Sequence, residues 1–160
     1  MGKKVNNILA AQYDNVLYSR NTIIEYIKTM SIENFVAENS SFGRGSIRNL
    51  LVHICDTYAA WIGVRALNLK HDFKPFSEYK NIQDCIGYFH QIDEFVNTFL
   101  RNFESDFQTE IEIYRDGETL QLTPLRLFTH TITHEFHHKG QIMSLSRHLG
   151  YIPVDADIIR

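Results

Sequence analysis

The sequence predicts a single all-α domain, a bundle of four long helices with a short β-hairpin between the third and the fourth. Apolar residues recur with the 3.6-residue period of an amphipathic helix in four separate stretches. The pattern changes to strict alternation only near residue 110, on both sides of Asp116-Gly117, a strong two-residue hairpin turn. A length of 160 residues favours one domain, 1–160, which can bury a core without disulfides or structural zinc.

The first three helices follow from apolar periodicity and from the residues at their ends. Helix one spans about residues 3–30, and a polar loop rich in Asn, Ser and Gly is expected at residues 31–45. Ser46 is a suitable N-cap for helix two, which spans about residues 47–69. Helix three spans about residues 82–103, without an obvious inward-facing carboxylate.

The hairpin and helix four have clear boundary signals. Residues 110–122 alternate around the turn, and the hairpin is expected to pack across one end of the bundle. Thr123 is a cap and Pro124 stands at the first helical position, where its missing amide donor does not matter. Helix four then continues to Leu149 and ends at Gly150, a C-terminal cap.

Helix four carries two further features. Gly140 should lower the stability of the helix by about 1 kcal/mol relative to alanine. A glycine at such a position indicates that another group approaches the backbone closely there. A second apolar stripe lies opposite His134, and it predicts either a helix covered on both sides within its domain or a homodimer, the interpretation we favour. This stripe consists of Leu125, Ile132, Phe136 and Met143.

Composition excludes several classes of protein. A net charge of −3 without a stripe of Lys or Arg argues against binding to nucleic acid, because duplex affinity depends on neutralising phosphates. The sequence offers neither a run of about 18 apolar residues for a membrane span nor a signal peptide at Lys3-Lys4. A cytoplasmic location is therefore expected. Cys55 and Cys85 are far from any C-x-x-C pattern and are expected to be buried apolar side chains without redox chemistry.

A histidine pair on helix four predicts a metal site. At about 100° per residue, His134 and His138 fall about 40° apart and one turn above each other, so both imidazoles can reach one ion. His53 of helix two lies beside its core stripe, with small neighbours that leave room for an ion. These neighbours are Thr57, Ala60 and Val64. A packed, hydrogen-bonded histidine is the alternative for each residue, and it stays open at this point.

The same stretch also satisfies the H-E-x-x-H pattern of zinc hydrolases. In that alternative Glu135, between His134 and His138, would be the general base to a zinc-bound water. The extended metzincin form fails because Gly140 falls one position early. Proteases of this type also use an edge strand to bind peptide, and only the small hairpin is available here.

The order of elements and two motifs resemble the DinB family of damage-inducible proteins, which is unrelated to the DNA polymerase of similar name. The motifs are Phe-Gly-Arg-Gly-Ser-Ile-Arg-Asn-Leu-Leu-Val-His-Ile, ending at residue 54, and His134-x-x-x-His138-Lys139-Gly140-Gln141-Ile142. The resemblance implies a four-helix up-down-down-up bundle whose metal is held by His53, His134 and His138. Gln141 matches the family's glutamine, a residue expected to contact either the metal-binding histidines or the substrate. Lys139 replaces a common arginine and is expected to face solvent.

The resemblance also implies a type of activity. Three imidazoles suit one divalent ion, and zinc or nickel is the expected metal. They leave coordination positions of the ion open, as catalytic sites require. Relatives with assigned activities look like thiol-dependent transferases and isomerases, so we expect a metal-dependent transferase or isomerase acting on a small molecule with a low-molecular-weight thiol. The alternative is a non-catalytic stress-response interaction bundle, in which the metal is structural or the histidines are packed.

Overall fold

A computed structural model describes residues 8–160 and has mostly helical structure with one two-stranded antiparallel sheet. The predicted beginning of helix one, residues 3–7, lies outside the described residues. The α-helices are α1 (Ile8–Ile27), α2 (Ile32–Val36), α3 (Ile47–Tyr58), α4 (Ile82–Asn102) and α5 (Pro124–His148). The strands are β1 (Ile111–Arg115) and β2 (Glu118–Leu122). The predicted hairpin between helices three and four is therefore confirmed as β1 and β2, between α4 and α5.

Side-chain caps set the helix boundaries close to their predicted positions. Ser46 and Thr123 each accept a hydrogen bond from a backbone N–H in the first turn of α3 and α5. Asn81 and Asp84 form a reciprocal capping box at the start of α4. Gly150, with a φ of 89°, follows the end of α5 in the left-handed conformation that glycine adopts without strain.

The predicted helix two, residues 47–69, is not a uniform α-helix, which corrects the prediction. After α3 the chain continues as a π-helix over Ala59–Ala66. The amide of Leu67 donates to the carbonyl of Ile62, five residues back, at 3.0 Å. A π-helix turns less per residue than an α-helix, so it changes which side chains face each neighbouring element.

The loop predicted at residues 31–45 contains the short helix α2, which was not predicted. The Ser31 hydroxyl accepts a hydrogen bond from the amide of Asn34 and caps this helix. Phe35 is 3% exposed and anchors the turn in the core. Five residues are too few to display a helical period, and this explains the omission.

The core lies where α1 and α3 both contact α4 and α5. The largest fully buried side chains include Tyr13, Tyr58, Phe99 and Phe128, one from each of these helices. The hairpin turn has positive φ at both Asp116 and Gly117, the type I′ geometry that matches the twist of paired strands. β1 contacts the π-helical segment, so the hairpin is held against the end of helix two.

Both cysteines are buried and free, as predicted. Burial raises the pKa of Cys85 to about 12 and raises the pKa of Cys55 well above its ordinary value. Neither thiol is therefore ionised near neutral pH. Among residues 8–160, no helix combines the length and hydrophobicity that crossing a lipid bilayer requires.

The second apolar stripe of α5 is partly covered within the same chain. Phe136 and Met143 line a cavity together with Val154 and Ala156 of the C-terminal segment. The Ser19 hydroxyl donates to the carbonyl of Ala156 at 2.6 Å and fastens that segment to α1. The stripe thus has intramolecular partners, while the homodimer stays a prediction.

Gly140 does not face a closely approaching group, contrary to the prediction. A Cβ atom built on it meets no heavy atom of the described residues within 4 Å. Gly140→Ala is therefore expected to stabilise the protein by about 0.5–1 kcal/mol, because alanine has the higher helix propensity. Chemical denaturation measures this gain in the free energy of unfolding.

Gly117→Ala is the matched control for that substitution. Gly117 also has open space around its Cβ position, but its φ of 87° strains an alanine. We expect Gly117→Ala to lower stability. A loss of stability in Gly140→Ala would show that position 140 has a partner after all.

Candidate metal centre

Three histidine side chains from two helices converge at one point. His53 comes from α3, and His134 and His138 come from successive turns of α5. One ring nitrogen of each lies within 4.8 Å of the others. The ring centroid of His53 lies 4.9 Å from that of His134 and 4.8 Å from that of His138. The ring centroids of His134 and His138 lie 4.3 Å apart. The cluster predicted from sequence therefore forms, in a geometry compatible with metal binding.

The donor geometry fits a single divalent ion. The Nε2 atoms of His134 and His138 are 3.0 Å apart. Two nitrogens bound to one ion at about 2.0–2.1 Å lie about 2.9–3.4 Å from each other. The nitrogen of His53 lies within 4.8 Å of the other two, a limit close to two such bond lengths, about 4.2 Å.

One ring nitrogen of His134 lacks a hydrogen-bond partner among the residues that the structure describes. Its Nδ1 atom is buried and has no hydrogen-bond partner within residues 8–160. A buried polar atom normally has a partner, because losing water without a replacement costs free energy. The ring of His134 is thus not held by a hydrogen bond from that nitrogen. Its contacts to other polar side chains are made by Nε2, which lies 3.0 Å from His138 and 3.4 Å from Thr57.

All three imidazoles are uncharged at neutral pH. Burial, followed by the neighbouring histidines, lowers the pKa of His134 to about 3. Burial and the nearby charge of Arg44 lower the pKa of His53 to about 4. The pKa of His138 is also lowered, mainly by burial. Neutral rings have free lone pairs, the form in which histidine binds metals.

Gln141 contacts the cluster from the next turn of α5. Its Oε1 lies 2.7 Å from Nδ1 of His138, so this nitrogen donates a hydrogen bond to the amide oxygen. The tautomer that makes this bond leaves the lone pair of His138 on Nε2, which points at His134. Hydrogen bonds of this type fix the orientation of metal-binding histidines.

Arg44 lies beside the cluster, and sequence reasoning assigned it no role. Its guanidinium is 3.3 Å from Nε2 of His53. The loop that carries it is held by Asn49, whose side-chain amide donates to the Arg44 carbonyl at 2.8 Å. The Phe-Gly-Arg-Gly stretch before α3 was the only sequence signal, and nothing in it indicates where the arginine points.

One of the small side chains predicted beside His53 lies at the cluster. Thr57 lies as expected, with its hydroxyl 3.4 Å from Nε2 of His134. Further along, in the π-helix, the ring of Trp61 lies 5.3 Å from that of His130. The space beside the cluster is therefore bounded by a large aromatic residue, not only by the small ones.

Glu135 does not lie where the general base of a zinc hydrolase must be. Its side chain is fully buried, and its oxygens accept hydrogen bonds from Arg20 at 2.9 and 2.8 Å and from Tyr58 at 2.7 Å. Burial alone raises the pKa of Glu135, but Arg20 and Lys139 outweigh it and lower the pKa to about 2. This carboxylate has no free oxygen for a water, and the H-E-x-x-H match is incidental.

Lys139 is buried, not solvent-facing as predicted. It is 5% exposed, its ammonium lies 2.9 Å from Glu135, and it donates to the carbonyl of Val16 and the hydroxyl of Ser19. One turn separates Glu135 and Lys139, so both face α1. Their opposite charges compensate each other in the low-dielectric interior.

A second carboxylate extends this network to α4. Arg20 donates to Asp93 at 2.6 Å, and the Tyr13 hydroxyl donates to the same carboxylate at 2.6 Å. The predicted helix three, which is α4 in the structure, therefore does carry an inward carboxylate, contrary to the prediction. The network links α1, α3, α4 and α5 and fixes the rotation of α5, which in turn places His134 and His138.

Comparison with known proteins gives one result for the whole chain. A family model described as the DinB family matches residues 1–160. The matched range includes both histidine motifs, the one around His53 and the one around His134 and His138. A search of the curated proteins found no match.

Proposed function

The chain belongs to the DinB family, and on this premise we propose that it is a metal-dependent enzyme whose His53, His134 and His138 hold one divalent ion. The observation that carries the proposal is the convergence of three uncharged imidazoles, each with a nitrogen within 4.8 Å of the others. An all-imidazole donor set favours zinc or nickel. Family membership also supports the up-down-down-up order of the four long helices.

Each residue of the centre has a distinct role in this proposal. The three histidines supply lone pairs, and Gln141 holds His138 in the tautomer that directs its Nε2 inward. Three protein ligands leave coordination positions open, as in catalytic rather than structural sites. The ion, when bound, supplies Lewis acidity that lowers the pKa of a thiol or water held next to it.

We propose that the enzyme uses a low-molecular-weight thiol and acts on a small-molecule substrate, as a transferase or isomerase. Two features of the chain support a thiol from solution. Cys55 and Cys85 are buried and un-ionised, so the protein does not offer its own thiolate. Glu135 is committed to Arg20, Lys139 and Tyr58, so it does not activate water as a hydrolase would require.

Cobalt substitution tests this proposal. We expect one cobalt ion per chain and a new thiolate-to-cobalt absorption band when a small thiol such as cysteine is added. Serine, which differs only in its hydroxyl, is the control and should not produce the band. The same thiol should raise the melting temperature of the metallated protein, since ligands that bind only the folded state stabilise it.

Two results would contradict the proposal in different ways. A protein that binds no cobalt lacks the metal centre. A protein that binds one cobalt but gives no spectral change with any thiol has a metal without the thiol chemistry, which would favour the non-catalytic interaction bundle.

A further inference from the structure

A pocket that the metal centre does not include lies between the π-helical segment, the hairpin and the first turns of α5. It has a volume of about 270 Å³. Trp61 and His130 line one part of it, and Arg115 and Arg126 line another. The remaining wall is apolar and consists of Leu120, Leu122 and Leu127. We call this cavity the arginine pocket.

The arginine pocket carries excess positive charge in a protein whose net charge is −3. The guanidinium carbons of Arg65 and Arg115 lie 4.7 and 5.3 Å from the ring centroid of Trp61. Arg115 pairs with Asp116 at 3.0 Å, an exposed contact that offers little compensation. In the described part of the chain, Arg65 and Arg126 form no ion pair.

By ideal helix angles, the π-helix over Ala59–Ala66 turns two of these side chains toward the side of the helix that carries His53. A helix closed by five-residue hydrogen bonds turns by only about 80° per residue, against about 100° in an α-helix. Counted from His53, Arg65 then lies within about 20° of the same direction, whereas an uninterrupted α-helix would place it about 120° away. The same change moves Trp61 toward His53. Single π-helical turns are frequent at functional sites.

The arginine pocket adjoins the candidate metal centre. The ring of His130 lies 5.3 Å from that of Trp61 and 6.0 Å from that of His134. The imidazole of His130 therefore lines the pocket on one side and neighbours the histidine cluster on the other.

The geometry points to a substrate subsite: the arginine pocket binds the carboxylate end of a small organic acid whose apolar body packs on the three leucines and whose reacting end lies at the histidine cluster. Guanidinium groups bind carboxylates through paired, charge-assisted hydrogen bonds. The apolar wall selects an organic acid over an inorganic anion. This inference rests on the proposed function, because it names the class of substrate for the same site.

Trp61 provides a direct test, since it is the only tryptophan of the chain. Titration of the full-length protein with hexanoate, at constant ionic strength, is expected to change tryptophan emission in a saturable way. Hexanamide has the same apolar body without the charge and should bind at least about 10-fold more weakly. Inorganic phosphate has the charge without the body and should also bind more weakly.

Arg126→Gln should weaken hexanoate binding by about 10-fold or more. The substitution is not expected to impair folding, because Arg126 is exposed and a cation in the first turn opposes the helix dipole. Arg147→Gln is the matched control, with the same loss of charge at an exposed position near the other end of α5. It should bind hexanoate like the wild type.

Equal binding of hexanoate and hexanamide, or equal binding in both arginine variants, would overturn the assignment. Phosphate that binds as tightly as hexanoate would overturn the organic-acid class. Metal content is measured on the same samples. A protein that binds metal but not hexanoate refutes the subsite alone, whereas one that binds hexanoate but no metal supports the carboxylate subsite and refutes the proposed function.

Discussion

His134→Ala is expected to abolish stoichiometric binding of a divalent ion, the largest effect that we expect from a single substitution. His134 would supply one of only three protein ligands, and its Nε2 lies 3.0 Å from the corresponding atom of His138. Residues that merely orient ligands cost about 10–100-fold in metal affinity when removed, so loss of a ligand should cost more than about 100-fold. Equilibrium dialysis against zinc or nickel, followed by metal analysis, measures this affinity.

Two further variants make the result specific to the cluster. His137→Ala changes an exposed histidine next to the ligand and should bind metal like the wild type. Gln141→Ala removes the hydrogen bond to His138 and should show an intermediate loss of about 10–100-fold. Equal metal content in His134→Ala and wild type would refute the assignment, as would an equal loss in His137→Ala.

Glu135→Gln is expected to destabilise the folded protein by about 3–5 kcal/mol, although the two side chains have nearly the same shape. The substitution removes the negative charge that faces Arg20 at 2.8 Å and Lys139 at 2.9 Å, inside the protein. Both cations then lose their main compensation in a low-dielectric environment. For a chain of this length each kcal/mol shifts the melting temperature by about 2–4 °C. Denaturant unfolding of the metal-free protein measures the effect.

Glu94→Gln is the matched control, because Glu94 is exposed on α4 and its neutralisation should change stability by less than about 0.5 kcal/mol. Glu135→Gln should weaken metal binding far less than His134→Ala, since Glu135 positions α5 but is not part of the cluster. A loss of stability below about 1 kcal/mol would mean that Glu135 does not hold α5 in place. A loss of metal binding with unchanged stability would indicate that Glu135 acts at the metal site and not in the buried network.

The positions of the long elements could be predicted because they depend on local signals. The caps at Ser46, Thr123 and Gly150 and the turn at Asp116-Gly117 each act through nearby backbone groups, and each lies where the sequence indicates. The π-helix over Ala59–Ala66 could not be predicted in this way. A change of hydrogen-bond register within a helix leaves no period of its own in the sequence.

The same distinction between local signals and distant contacts applies to the candidate site. The spacing of His134 and His138 fixes their proximity on any α-helix, so the sequence alone predicts the pair and its geometry. Asp93 was missed because it acts on Arg20, 73 residues away in the chain. Arg44 lies only nine residues before His53, but it stands in an irregular loop, where no helical period indicates the direction of a side chain. Glu135 fits a hydrolase motif by spacing alone, yet its environment assigns it to the core.

By itself, the sequence determined the helical class, the hairpin, the histidine pair of α5 and the resemblance that added His53. Only the tertiary structure decided that His53 meets this pair, that Glu135 and Lys139 turn toward α1, and that Trp61 of the π-helix packs against His130, next to His134. The physical reason is that periodicity records angles within one helix. Which face meets which neighbour depends on the packing of helices distant in sequence, and only that packing sets the burial and the charge around each side chain.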